Sequence, residues 1–260
     1  MAEDVTDLVQ RQYGRQADFY ARSVVHATGE TLGLLLDWGS PAHGQRVLDI
    51  ATGAGFTAFT FAPHVKSVVA YDLTVEMLAQ ARNLGAQRNL RNLSFIQGMA
   101  ESLPFPDESF HIVACRTAPH HFLSVQRFLE EASRVVAPGG LVLMADTSVP
   151  EDTEVALWQN RVEKTRDPSH VRAYSLSEWS GFFREAGLSV EETSTAYRTP
   201  LQFSDWVQRS GTAPGDVAEL RRLFSGPIPG AVEAFEIRSE GGEFFFSWQV
   251  VAVKGRKGSR

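Results

Sequence analysis

VLDIATGAGFTA, residues 47–58, is an apolar run that takes in a carboxylate, gives way to small residues and glycines, and then turns apolar again. A short apolar run closed by glycine reads as a buried strand, and the apolar residues after it read as the start of a helix. The bare backbone in between lets a ligand approach closely or lets the chain take positive φ. This strand–turn–helix unit predicts a wound, mostly parallel α/β sheet.

The alternation continues along the chain. RVLDIA (46–51), SVVAYD (67–72), LSFIQG (93–98), FHIVACR (110–116) and LVLMAD (141–146) read as five strands. Helical periodicity lies between them at 56–62, 74–88 and 124–136, the last stopped by a Pro138, Gly139, Gly140 turn. LSVEETSTAY (188–197) is a sixth strand, and EFFFSWQVVAVK (243–254), with no helix after it, is expected to be an antiparallel strand inserted into the sheet. The KGRKGSR tail is expected to fray into solvent. Residues 3–37 suggest one or two helices over the mouth of the sheet, 150–187 suggest helices that include LSEWSGFFREAG, and 200–240 are too long for a hairpin loop and read as a helical cap.

Composition narrows the function. The chain has 260 residues, 43% of them hydrophobic, and a formal net charge of −6 with its basic residues scattered, which argues against a nucleic-acid phosphate track. Small molecules or proteins are the better partners. The one cysteine, Cys115, sits in the apolar run FHIVAC, so it forms no intramolecular disulfide, gives no basis for a metal site, and is expected in the core. The N-terminus lacks a basic-then-apolar signal pattern and no 18 apolar residues run uninterrupted, so a cytoplasmic protein with no membrane span is expected.

In open parallel sheets the ligand crevice lies beyond the carboxyl ends of the strands, where strand order reverses, beside the first strand. Thr52, Gly53 and Gly55 fall there. Asp72 closes the second strand, 19 residues after Gly53, where a carboxylate can accept both hydroxyl hydrogen bonds of an adenosine ribose. Nicotinamide dinucleotides and S-adenosylmethionine (SAM) both want this acid, and GAGFTA satisfies the dinucleotide pattern G-x-G-x-x-A, so the glycines leave both open. Asp49 favours SAM: pointed into the crevice, it would repel a pyrophosphate and support a cationic amino-acid portion. GMAESLPFPDESFHIV (98–113) then supplies a loop near the adenine.

VLDIATGAG, YDLTVEMLAQAR, MAESLPFPDESFHIV, RTAPHHF and VVAPGGLVLMAD together resemble the successive motifs of class I SAM-dependent methyltransferases, in the small-molecule subgroup (methyltransferase type 11) that includes the ubiquinone/menaquinone-biosynthesis C-methyltransferases. The likeness is strong over residues 40–150 and weaker at the Tyr13–Ser23 helix and the 188–252 strands. It implies a Rossmann-like seven-stranded sheet with an antiparallel last strand, and one domain over 1–260: a helical lid (1–40), a SAM-binding core (41–150) and acceptor-side helices, cap and last strands (151–260). It implies that Asp49, Ala51, Thr52, Gly53 and Gly55 contact the methionine portion, Asp72 the ribose, and Leu73, with Met77, Met99, Ala100 and Glu101, the adenine. Ala51 replaces a family glycine, and Met99 replaces a family acid, which passes the adenine amino contact to a neighbour such as Glu101. Arg116 and the lid residues Tyr13 and Tyr20 complete the cofactor set, the tyrosines serving either to close over the methionine carboxylate or simply to anchor their helix.

Methyl transfer to a hydroxyl or an acidic carbon needs a base within hydrogen-bond reach. His120 and His121 follow the fourth strand, and Asp146 ends the fifth. A histidine backed by a carboxylate has a fixed tautomer and a stabilised imidazolium, so His120 with Asp146 is the preferred dyad, with His121 as substitute or substrate-orienting partner. The expected activity is transfer from SAM, leaving S-adenosylhomocysteine, to a natural-product, quinol or sugar-like acceptor, by a monomer or homodimer. An NAD-dependent oxidoreductase and a non-methylating SAM-binding scaffold are the alternatives. Arg166, His170, Arg172 and Tyr174 form a polar stretch that either binds the acceptor or is merely solvated. Phe203, Trp206, Phe224, Phe235, Phe244 and Phe246 are expected mainly in the core, a few of them lining an apolar acceptor pocket.

Overall fold

The computed structural model describes residues 5–21 and 29–259, without the side chains of Phe19 and Tyr20. Helices α1 (Val5–Ala21) and α2 (Glu30–Gly39) precede β1 (Arg46–Ile50), α3 (Phe56–Phe61), β2 (Ser67–Asp72), α4 (Val75–Gln87), β3 (Leu93–Gln97) and β4 (Phe110–Arg116). Then come α5 (Val125–Val135), β5 (Val136–Thr147), α6 (Thr153–Arg166), α7 (Leu176–Glu185), β6 (Leu188–Gln202), α8 (Phe203–Ser210), α9 (Pro214–Ser225), α10 (Ala231–Phe235), β7 (Arg238–Glu240) and β8 (Glu243–Lys257). The sheet order is β3-β2-β1-β4-β5-β8-β6, with the short β7 paired to β8. The strands from β3 through β5 pair in parallel, and β8 runs antiparallel between β5 and β6, as its lack of a following helix predicts.

Period-2 alternation sorts the strand residues into two cores. Leu48, Ile50, Val113, Cys115, Val142 and Met144 face α5 and α7, which bury Phe128, Leu129, Trp179 and Phe183 against them. Val47, Ile112, Ala114, Leu143 and Ala145 face the other way, onto Leu35 of α2 and Ala58 and Phe61 of α3. Helix α5 shows why its sequence folds so: Val125, Phe128, Leu129, Ala132 and Val135 share one buried stripe, and the Ser124 hydroxyl caps the first turn by accepting from Arg127 N–H at 3.1 Å. A third cluster joins α6, α8, α9 and α10 to the outer ends of β6 and β8, and it buries Phe203, Phe224, Phe235 and Phe246.

Three expectations need correction. The Pro138, Gly139, Gly140 segment is no free turn: it belongs to β5, which starts at Val136 and bulges against β4 between Phe110 and Ile112. β6 runs on to Gln202, straight into α8. The tail does not fray from Lys254, because β8 continues to Lys257: Arg256 pairs with Glu191 of β6 and donates to Gly139 O, and Gly255 lies so close under Phe183 that a Cβ would be 2.4 Å from the ring. Among the described residues no helix is long and apolar enough to cross a membrane.

Candidate active site

Strand order reverses between β1 and β4, and the loops beyond their carboxyl ends open into a cavity of about 460 Å³. At one side of it Asp72 closes β2. Its carboxylate accepts from Gly53 N–H at 2.7 Å and Thr74 N–H at 2.8 Å, which ties the glycine loop to the end of the neighbouring strand, and burial pushes its pKa up. The loop is made of left-handed backbone: Ala51, Gly53 and Gly55 have φ of 53°, 54° and 95°. Gly55 is fixed by sterics as well, since a Cβ there would lie 2.4 Å from Phe59. Leu73, Met77, Met99 and Ala100 extend this wall as an apolar face. Glu101 also lines it, but its carboxylate accepts from Leu123 N–H at 2.9 Å.

Asp49 does not point into the cavity. It shares the strand face of Val47, the α3 side, and its Oδ2 accepts from Thr52 Oγ1–H at 2.5 Å and from Ala58 N–H at 2.9 Å. Burial pushes its pKa up to about 7. The carboxylate therefore ties the glycine loop to the first turn of α3 from the side away from the cavity. It works from behind the loop. Arg116, at the end of β4, lines the cavity and donates to Thr57 Oγ1 at 3.3 Å; burial lowers its pKa to about 10.

His120 and His121 sit in a single 3₁₀ turn, Pro119–His121, and the structure gives them different partners. His120 is held twice by Asp146: its N–H donates to Oδ2 at 2.8 Å, and its Nδ1 lies 2.6 Å from Oδ1. Burial acts to lower the imidazole pKa, but the charge and hydrogen bond of Asp146 outweigh it and raise the pKa above the usual 6.5. With Nδ1 on Asp146, Nε2 is the nitrogen left for a ligand. His121 Nδ1 lies 3.0 Å from the Ser169 carbonyl, so Nδ1 carries the proton, and Nε2 accepts from the Tyr13 hydroxyl at 2.5 Å. Burial and the nearby His120 charge press the His121 pKa down to about 3. The pair is thus one carboxylate-backed histidine and one neutral histidine that holds α1.

Tyr13 lines the cavity through that bond, and the side chain of Tyr20 lies outside the described residues. The polar stretch that begins at the last residue of α6 splits. Arg166 and His170 line the cavity, whereas Arg172 pairs with Glu178 and Tyr174 packs on Trp179 and Phe182. The far wall is one that motif reasoning missed apart from Trp206: Tyr197, Leu201, Arg209, Trp248 and Val250 also reach it, from β6, α8 and β8. The Trp248 indole donates to the buried Glu163 carboxylate. Strand alternation in β8 was the available signal, but the lengths of β6 and β8 were needed to apply it.

The chain matches the Methyltransferase domain family over residues 48–144. It is 40% identical to the uncharacterized methyltransferase YcgJ of Bacillus subtilis over 204 residues, 78% of this chain and 80% of that protein. The chain belongs to the class I SAM-dependent methyltransferases. The YcgJ crystal structure superposes with a TM-score of 0.84 at 34% identity, covering 88% of this chain and 99% of that one. Over 109 residues, 41% of this chain and 43% of the relative, the methyltransferase is 37% identical to the demethylmenaquinone methyltransferase of Chlorobaculum tepidum. The geranyl diphosphate C-methyltransferase of Streptomyces coelicolor A3(2), solved with S-adenosyl-L-homocysteine, shares the fold at a TM-score of 0.68 and 12% identity, covering 98% of each chain. Family membership removes the nicotinamide alternative.

Proposed function

We propose that this methyltransferase moves a methyl group from SAM to a hydroxyl or activated carbon of a small molecule, with His120 as general base. The observation that carries it is the 2.6 Å His120–Asp146 pair on the wall of the same cavity that Asp72 lines. The residues at the strand ends fit the donor. Asp72 would take the ribose hydroxyls, Leu73, Met77, Met99 and Ala100 would flank the adenine, and the loop from Ala51 to Gly53 would meet the methionine portion. SAM supplies an electrophilic methyl group on a sulfonium sulfur.

The protein's part is positioning and proton removal. Asp146 fixes the His120 tautomer and stabilises its imidazolium form, so Nε2 can take the acceptor's proton as the acceptor oxygen or carbon bonds the methyl and the carbon–sulfur pair of electrons stays on sulfur. Tyr13 and His121 hold α1 over the cavity. The chain divides functionally into a lid (1–40), a donor core (41–150) and an acceptor side (151–260). The demethylmenaquinone named for the C. tepidum relative and the S-adenosyl-L-homocysteine in the S. coelicolor structure agree with a small-molecule acceptor and this donor.

Thermal unfolding with SAM, S-adenosylhomocysteine and NAD tests the donor, since only a bound ligand raises the melting temperature. The first two should stabilise and NAD should not. Asp146→Asn and His120→Ala should keep that stabilisation and lose methyl uptake from labelled SAM across a panel of phenols, quinols, sugars and lipid-like acceptors. Absence of SAM binding, or turnover unchanged in both variants, overturns the proposal.

A further inference from the structure

His170, a residue of the cavity wall, carries a buried ring nitrogen whose chemical state can be deduced. Asn160 of α6 is locked by backbone: its Nδ2 donates to Ala156 O and Ala173 O, each at 3.1 Å, while its Oδ1 accepts from Ala173 N–H at 2.7 Å. A flipped amide would set donor against donor and acceptor against acceptor, so Oδ1 is fixed. His170 Nε2 lies 2.9 Å from that oxygen and must therefore carry the proton. Its Nδ1 is then a bare lone pair. Among the described residues that buried atom has no hydrogen-bond partner, and its residue, only 1% exposed, forms part of the cavity wall. Burial and the neighbouring His120 and His121 hold His170 far below the usual histidine range, so the ring does not cure the vacancy by taking a proton.

A buried acceptor left without a donor destabilises the protein, and a ligand with a matching donor relieves that penalty. The His120 and His170 ring centres are 5.6 Å apart, close enough for two substituents of one ring to reach both. Leu201, Trp206, Trp248 and Val250 supply an apolar wall to the same cavity. We propose that His170 selects the acceptor: its Nδ1 accepts a hydrogen bond from a second hydroxyl or N–H that a ring-type acceptor carries beside its reacting group. This rests on the methyltransferase reading above, with His120 at the reacting group.

The test uses the full chain saturated with S-adenosylhomocysteine, whose binding is measured first and alone. If it fails to bind, the donor assignment falls; if it binds, the acceptor arm stands by itself. Binding is then measured for phenol against catechol, resorcinol and hydroquinone, and for umbelliferone against daphnetin. At least one two-donor probe should bind tenfold or more tightly than its one-donor partner. His170→Phe should remove that preference while the one-donor probes bind as before, and His170→Asn, which keeps an acceptor near the Nδ1 position, should restore part of it. A purely structural role would weaken both members of each pair alike. Because His170→Phe also loses the Asn160 bond, a second readout uses the unaltered protein: the nitrogen NMR resonance of His170 Nδ1 should start as an unbonded lone pair and move upfield with the preferred probe. Equal binding within every pair, no probe binding at all, or a resonance already hydrogen-bonded before any probe is added, the sign of a resident water, overturns the assignment.

Discussion

The Tyr13 hydroxyl donates to His121 Nε2 across 2.5 Å, joining the first helix of the chain to the turn after β4. Helix α1 is also tied down by Gln10 to Leu73 O at 3.3 Å and Asp18 to Gln80 at 2.5 Å on the donor side, and by Gln12 to Ser210 O at 2.7 Å on the cap. It thus spans both halves of the cavity. A neutral hydrogen bond contributes about 0.5–1.5 kcal/mol net. Tyr13→Phe should therefore loosen α1, with faster amide hydrogen exchange over residues 5–21 and donor affinity weakened by roughly two- to tenfold. Unchanged exchange would show that the tyrosine ring alone seats the helix.

The His120–Asp146 pair sets a pH dependence. A base acts when deprotonated and the His120 pKa lies above 6.5, so kcat/KM should rise with pH on an acid limb centred above 6.5. Asp146→Asn leaves burial, which lowers the pKa, without its counterweight. The limb should move to lower pH and kcat should fall by about 10²–10⁴. The linked stability has the opposite slope. The pair's contribution is complete below pH 6.5 and fades as pH climbs through the raised value, so the stability gap between wild type and Asp146→Asn should narrow over that range in urea titrations.

Asp49, with its pKa pushed up to about 7 by burial, binds its proton more tightly folded than unfolded. Its contribution is therefore greatest below the ordinary 3.8 and declines as pH rises to about 7. Both of its hydrogen bonds fall on Oδ2, so an asparagine can accept them with its one oxygen. Asp49→Asn should fold, and relative to wild type should gain up to about 1.4 kcal/mol per pH unit over that window. Asp49→Ala strands the Ala58 amide and the Thr52 hydroxyl and should cost about 1–3 kcal/mol. Denaturation at three pH values in the window distinguishes these outcomes.

Ala51 occupies left-handed backbone at φ 53°, where a Cβ costs roughly 1–2 kcal/mol. Glycine there relieves that strain and gives back about 0.4–1 kcal/mol through its looser unfolded chain. Ala51→Gly should stabilise by about 0.5–1 kcal/mol in urea unfolding; a loss of stability would mean the alanine methyl packs usefully.

The sequence by itself determined the β/α core, the antiparallel place of the last strand, and the positions of the glycine loop and of Asp72 at the ends of the first two strands. These are local matters: period-2 and helical patterning, glycine where φ must be positive, and an acid at a strand end follow from residues a few positions apart. Only the tertiary structure decided which way side chains point and what they meet. Asp49 faces α3 instead of the crevice because it shares the buried face of Val47. His120 and His121 are neighbours in sequence, yet one meets Asp146, 26 residues on, and the other meets Tyr13, 108 residues back. The His170 lone pair is fixed by Asn160, ten residues before it, and the acceptor wall by the lengths of β6 and β8. A side chain's direction and charge state are set by groups brought close only when the chain packs, and no local pattern records which groups those will be.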